Sequence, residues 1–140
     1  MKRTEAREFA FMMIFQYKFR TSEISEIVDD FKEHYSCENQ EEYINKAVYG
    51  TVEKIDELDA LINEVSNEWS TTRMSSVRLA VLRLAVYEMI YMQDIPRVIV
   101  INEAVRISKI YDGDESAPFI NGILDSINKK YPTVLENETE

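Results

Sequence analysis

LRLAVYEMIYMQDIPRVIVINEAVRISKIYDGDESAPFINGILD, residues Leu82 to Asp125, is the stretch whose reading decides the fold. Its first part belongs to a segment, Val77 to Tyr91, that is apolar nearly all round, as expected of a helix at the centre of a bundle. Pro96 suits the first position of a new helix, where its missing N–H is not needed. Val98, Ile101, Ala104, Val105 and Ile107 or Ser108 then recur at helical spacing, and Asp112-Gly113 stops the run. Ser116, or Glu115 before it, starts a last helix with Pro118 in its first turn, followed by Phe119, Ile120, Ile123, Leu124 and Ile127. The β-branched run Val98–Ile101 resembles a strand in isolation, but the helical period around it outweighs that reading.

Working outward, the same period organises the rest of the chain. A first helix is expected from about Thr4 to Phe19, with Ala6, Phe9, Ala10, Met13 and Phe15 or Tyr17 on its apolar face. Ser22 is a candidate cap for a second helix carrying Ile24, Ile27, Val28, Phe31 and Tyr35. After the polar piece Ser36–Gln40, a third helix uses Tyr43, Ile44, Ala47, Val48, Thr51, Val52 and Ile55. Gly50 within it costs about 1 kcal/mol of propensity and marks close packing rather than a break. Asp56–Asp59 reads as a turn into a fourth helix through Leu61, Ile62, Val65 and Trp69. The chain therefore reads as all-α, with seven helices. STTRMSS, Ser70–Ser76, divides it into an N-terminal half, 1–72, and a C-terminal half, 73–132, with an acidic tail, 133–140, that looks frayed or disordered.

With 140 residues and 45% hydrophobic content, the chain can build one substantial core or two small halves sharing an interface. A formal charge of −10 argues against a general nucleic-acid coat. The charge is uneven, however: residues 1–20 hold five bases against two acids, whereas residues 21–76 hold fourteen acids against four bases. The basic opening is interrupted by Glu5 and Glu8 and is not followed by a cleavage site, so it reads as a helix rather than a targeting segment. No apolar stretch is long enough to span a bilayer, and the single Cys37 makes no intramolecular disulfide. A soluble, cytoplasmic protein is expected.

The residues offer little catalytic chemistry. His34 and Cys37, one of each, cannot supply a zinc site or a nucleophile–histidine arrangement. No phosphate-binding glycine loop is present. Asp112, Asp114 and Glu115 resemble a fragment of a cation loop but lack its spacing and its closing glutamate. No metal, cofactor or catalytic residue is expected. Lys2, Arg3 and Arg7 are candidates for phosphate contacts, although three bases by themselves fit a solvated face as well. Tyr17, Tyr43, Tyr49, Tyr87, Tyr91 and Tyr111 each carry a ring able to stack on an unpaired base, against the plainer reading of half-buried bundle residues. Charged residues within apolar helices need partners, so an internal clasp of Arg83 with Glu88 or Glu103 is expected. In GDESAPF, Ser116 as a helix cap would create a locally positive end beside Asp114 and Glu115.

Taken together, LRLAVYEM, DIPRVIVINEAV, DESAPFINGILD, the opening EAREFAFMMIFQY and the junction WSTTRMSSVRLAVLR resemble the NusB family of bacterial transcription antitermination factors. The resemblance covers nearly the whole chain apart from the acidic tail. It implies a seven-helix protein of two packed helical halves that binds RNA. It further implies pairing with the small-subunit ribosomal protein NusE to hold the boxA element of nascent ribosomal RNA transcripts, within a complex that carries RNA polymerase past terminators. On that resemblance, Lys2, Arg3 and Arg7 match an arginine-rich RNA-contacting start. Glu115 stands where an aspartate is typical, Ser116 follows it, and Phe119, Asn121 and Gly122 match the last helix. Arg78 stands where relatives can carry an acid. Lys and Arg would hold the RNA backbone, while Asn121, Ser116 and Glu115 would meet base edges or ribose hydroxyls. The basic opening is thinner than in many relatives, so RNA binding by the protein alone should be weak and completed by the ribosomal partner. Two alternatives stand beside this: a non-catalytic helical protein-interaction module, monomeric or homodimeric, and the N-terminal helical domain of a ribosomal RNA cytosine methyltransferase. The 140 residues leave the second no room for a methyl-donor fold.

Overall fold

The computed structural model describes residues 1–66 and 70–132. These residues form seven α-helices and no strand: α1 (Arg3–Phe19), α2 (Ile24–His34), α3 (Glu41–Glu53), α4 (Ile55–Val65), α5 (Ser76–Tyr91), α6 (Arg97–Asp112) and α7 (Ser116–Lys130), with a 3-10 turn at Thr71–Arg73. Trp69 and the tail from residue 133 lie outside the described residues.

The near-uniform apolarity of α5 has a direct structural counterpart. Ten of its residues are buried, and it packs against α1, α3, α4, α6 and α7. Within the run 79–89 only Arg83 is not buried; it reaches the rim, where it donates two hydrogen bonds of 2.8 Å to Asp59 of α4. The helix starts cleanly because Ser75 accepts a hydrogen bond from the Arg78 N–H at 3.1 Å, satisfying one of its free donors. Around α5, α1 runs antiparallel to it, pairing Arg7 with Glu88 and Lys18 with Ser76. Beside α6, α1 runs parallel, with Thr4 on Glu103, Glu8 on Arg106 and Phe11 on Tyr111.

Several element ends differ from the sequence reading, each for a local reason. Asp56–Asp59 is not a turn but the opening of α4, separated from α3 by Lys54 alone. Acids favour the first turn of a helix, where the peptide dipoles leave partial positive charge, and Leu58 and Ile62 are both fully buried at helical spacing. Ser22 does not cap α2; Glu23 holds that place without a side-chain bond, and the Ser22 hydroxyl accepts from Arg20. Pro96 is the N-cap of α6, one residue before its expected place. Ser116 does not cap α7 either: it lies inside the first turn, Glu115 is the N-cap, and neither side chain closes the helix end. Gly113 ends α6 at φ 99°, a conformation that favours glycine, and the Glu115 carboxylate folds against it.

Gly50 lies inside α3 against the ring of Tyr87, whose hydroxyl occupies the place a side chain at position 50 would take. A Gly50→Ala variant should therefore lose about 1–3 kcal/mol to overpacking, outweighing the helix-propensity gain of about 1 kcal/mol. In a Tyr87→Ala background the same change should become neutral or stabilising. Urea denaturation of the two single variants and the double variant measures both.

Candidate nucleic-acid interface

The first turns of α1 present two kinds of base. Lys2 and Arg3 are exposed, whereas Arg7, one turn further on, is 3% exposed and points into the core. The phosphate contact expected of Arg7 is thus corrected: its guanidinium grips Glu88, with Nη2 2.9 Å from Oε1 and Nε 3.0 Å from Oε2. Tyr43 of α3 donates its hydroxyl to the same carboxylate at 3.0 Å, and its ring lies beside the Arg7 guanidinium at 5.4 Å. Glu103 of α6 extends the network, 3.5 Å from Arg7 Nη1 and accepting from Thr4 and from Arg106 at 3.2 Å. The expected clasp of Arg83 with Glu88 or Glu103 is corrected: Arg83 pairs with Asp59, and the arginine that grips Glu88 comes from α1. Helical spacing within one segment cannot reveal a partner 81 positions away.

Electrostatics follow from this geometry. Burial by itself would lower the Arg7 guanidinium, but the hydrogen bonds and charge of Glu88 outweigh it and hold the proton more firmly. Burial, reinforced by the negative Glu88, pushes the Tyr43 phenol well above its ordinary range. For Glu103, partial burial would raise the carboxyl; the hydrogen bond and charge of Arg106, with Arg7 and Thr4, hold it below its usual value.

At the surface the remaining candidates separate into two places. Arg3 lies at the α3 end, donating from Nε to Gln40 at 2.7 Å with its guanidinium 4.3 Å above the Tyr43 ring. Glu115, the N-cap of α7, and Asn121, in its second turn, are exposed on the last helix, beside the junction where Arg78 bonds Asp112 at 2.7 Å and lies 5.0 Å over Phe119. Ser116, placed between them in sequence, is fully buried, and its hydroxyl has no hydrogen-bond partner among the described residues. Its expected contact with an external ligand is corrected accordingly. The six residues do not form one surface: Arg7 and Ser116 are buried, Lys2 and Arg3 are exposed at the start of α1, and Glu115 and Asn121 are exposed at the start of α7.

Beside the second place runs an aromatic ladder. Tyr111, Phe11, Phe15 and Phe19 follow one another with ring centroids 5.0, 6.0 and 5.1 Å apart. Its outer members are open to solvent: Phe19 is 62% exposed, and Tyr111 and its neighbour Ile110 are also exposed. Sequence reading missed this surface. Phe15 and Phe19 at i, i+4 look like core spacing, and only packing shows that α1 continues beyond its cover. Of the tyrosines weighed for stacking, Tyr43 and Tyr87 are buried, Tyr17 and Tyr91 partly buried, and Tyr49 and Tyr111 exposed.

A helical body with an exposed basic opening and an exposed aromatic ladder is a binding scaffold. The family is established by comparison with known proteins: residues 4–129 match the model of the NusB family, and the chain belongs to it. A transcription antitermination protein NusB from Acetivibrio thermocellus is 42% identical over 92% of this chain and 90% of its own. The structure of T. maritima NusB superposes with a TM-score of 0.89 at 34% identity, covering 99% of this chain and 98% of that one. A chain in the crystal structure of the antitermination factors NusB and NusE in complex with dsRNA gives 0.84 at 27% identity over 92% of this chain and 97% of that one.

Breaking the buried clasp should be costly. Arg7→Ala or Glu88→Gln is expected to remove about 3–5 kcal/mol of stability, because each strands a buried charge or polar partner. Lys2→Ala should leave stability unchanged, as read by urea denaturation. Stability should also fall as pH rises above about 10, because the folded state holds the Tyr43 proton beyond the phenol's ordinary 10.0 and the unfolded chain does not. Glu103 acts in the opposite sense: its contribution is present above the ordinary 4.5 and is lost as pH falls through its depressed value. Stability–pH curves of Tyr43→Phe and Glu103→Gln should be flatter at the alkaline and acid ends respectively.

Proposed function

We propose that this chain is a transcription antitermination factor that binds the boxA RNA of ribosomal RNA operons together with the ribosomal protein NusE. The observation that carries the reading is membership of the NusB family over residues 4–129, with relatives named as transcription antitermination proteins. The same fold occurs in a complex of NusB, NusE and double-stranded RNA. The chain acts as a non-catalytic member of the RNA polymerase antitermination complex in the cytoplasm, where transcription takes place. No helix among the described residues is long and apolar enough to cross a membrane.

Within that reading, Lys2 and Arg3 hold the RNA backbone by charge. Glu115 and Asn121, exposed at the start of α7, are hydrogen-bonding groups for base edges or ribose. The aromatic ladder ending in Phe19, with Tyr111 and Ile110, is the surface for the protein partner, since aromatic residues on an exposed face are the commonest anchors of protein interfaces. With Arg7 withdrawn into the core, only two bases remain on the opening turn, which favours weak RNA binding by the protein alone. NusE supplies the rest of the charged surface. The free chain is monomeric or a homodimer.

The test measures binding to a short labelled boxA RNA and a scrambled control, with and without NusE, across a salt series. Tight, sequence-selective binding is expected only with NusE. Lys2→Ala should reduce the slope of log affinity against log salt by about 1, as expected when one fewer phosphate is neutralised. Absence of selectivity in the mixture would leave a helical protein-interaction module. Phe19→Ser should weaken NusE association by about tenfold or more without changing stability, the size expected when an interface anchor is truncated.

A further inference from the structure

Between the start of α1, the turn before α3 and the α5–α6 connection lies a cleft of about 220 Å³. Met92 and Ile95 provide apolar lining, and Tyr43 with the Arg3 guanidinium over it provides a flat wall. The arginine is held in that pose by its bond to Gln40. Asn39, Glu42, Lys46 and Asp94 complete the lining, and none of their side chains makes a hydrogen bond or ion pair among the described residues. Asn39 is the one described non-glycine residue with positive φ, 71°, a left-handed conformation that asparagine tolerates.

These features suit one ligand chemistry. A planar guanidinium offers a stacking face to a nucleobase. A free lysine suits its phosphate. An amide and two unpaired carboxylates accept hydrogen bonds from base amino and imino groups. The volume is below the roughly 300–1,000 Å³ of drug-sized pockets, so it takes one base rather than two. We infer that this cleft receives a single unpaired base of the bound RNA, stacked on Arg3 and read by Asn39 and the Glu42 and Asp94 carboxylates. The inference rests on the RNA-binding reading above and assigns Arg3 a base-stacking role in addition to its charge.

The test pairs three variants with a series of boxA RNAs, each lacking one base, measured in the presence of NusE. Arg3→Lys keeps the charge and removes the flat platform; Asn39→Gly keeps the backbone conformation and removes the amide; Lys46→Gln removes the free cation. Lys129→Gln, an exposed cation on α7, is the control. Each cleft variant should weaken binding of intact RNA by about tenfold, within the range that stacking supplies, and the control should not. At one RNA position, and only there, removing the base should abolish the Arg3→Lys penalty. Additive losses at every position would overturn the cleft and leave RNA binding standing. Weakened NusE binding by the cleft variants without RNA would overturn it in favour of a protein ligand. If the unaltered protein with NusE binds no RNA, the functional reading fails, and the cleft assignment fails with it.

Discussion

The ion pair between Arg7 and Glu88 is the constraint on which the rest of the structure depends. Both groups are almost wholly buried, and a charge taken out of water is tolerated only when its partner is in place and its remaining bonding capacity is used. Here the partners arrive from four helices: the arginine from α1, the carboxylate from α5, a phenol from α3 and a second carboxylate from α6. Apolar packing alone would permit α1 to slide or rotate over α5. The paired charges specify one register, because a shift of a single turn would strand each of them. The helices that meet at this point include two from each side of the polar junction.

That register also determines what reaches the surface. With Arg7 turned inward, Lys2 and Arg3 are displayed at one end of α1, while Phe15 and Phe19 emerge at the other. A single helix thus carries a basic tip and an aromatic tip, joined by its buried middle. Arg3 is coupled to the core through Tyr43, the same ring that flanks Arg7. The exposed Arg3 guanidinium is therefore positioned by the residue that completes the internal network. Arg97 has a comparable role elsewhere, bonding Asn128 and the Met89 and Tyr131 carbonyls and so tying the ends of α5 and α7 together. A cation can satisfy helix C-terminal carbonyls whose own donors have run out.

Much of the fold was legible in the chain. α5 stands out by being apolar on every side, Gly113 by ending α6, and Gly50 as a mark of close packing in an otherwise good helix, although only the structure shows that Tyr87 is its neighbour. The errors lay at helix ends. Asp56 and Glu57 read as a turn and are a first helical turn; Ser22 and Ser116 read as caps and cap nothing. Polar residues suit both roles, and which one they play depends on whether the next apolar residues find a core to enter. The candidate site was less legible. Lys2, Arg3 and Arg7 are equivalent by composition, yet one of the three belongs to the interior.

The sequence by itself determined the class and count of the helices, the uneven charge and the family, because these rest on local periodicity and on motifs that survive without coordinates. Only the tertiary structure decided which arginine pairs with Glu88, that Ser116 is shut away, and that Arg3, Asn39, Lys46 and Asp94 line one cleft. The physical reason is distance along the chain. Helical period places a side chain on a face, but long-range packing chooses which face meets which, and a charge becomes structural or functional only after that choice is made.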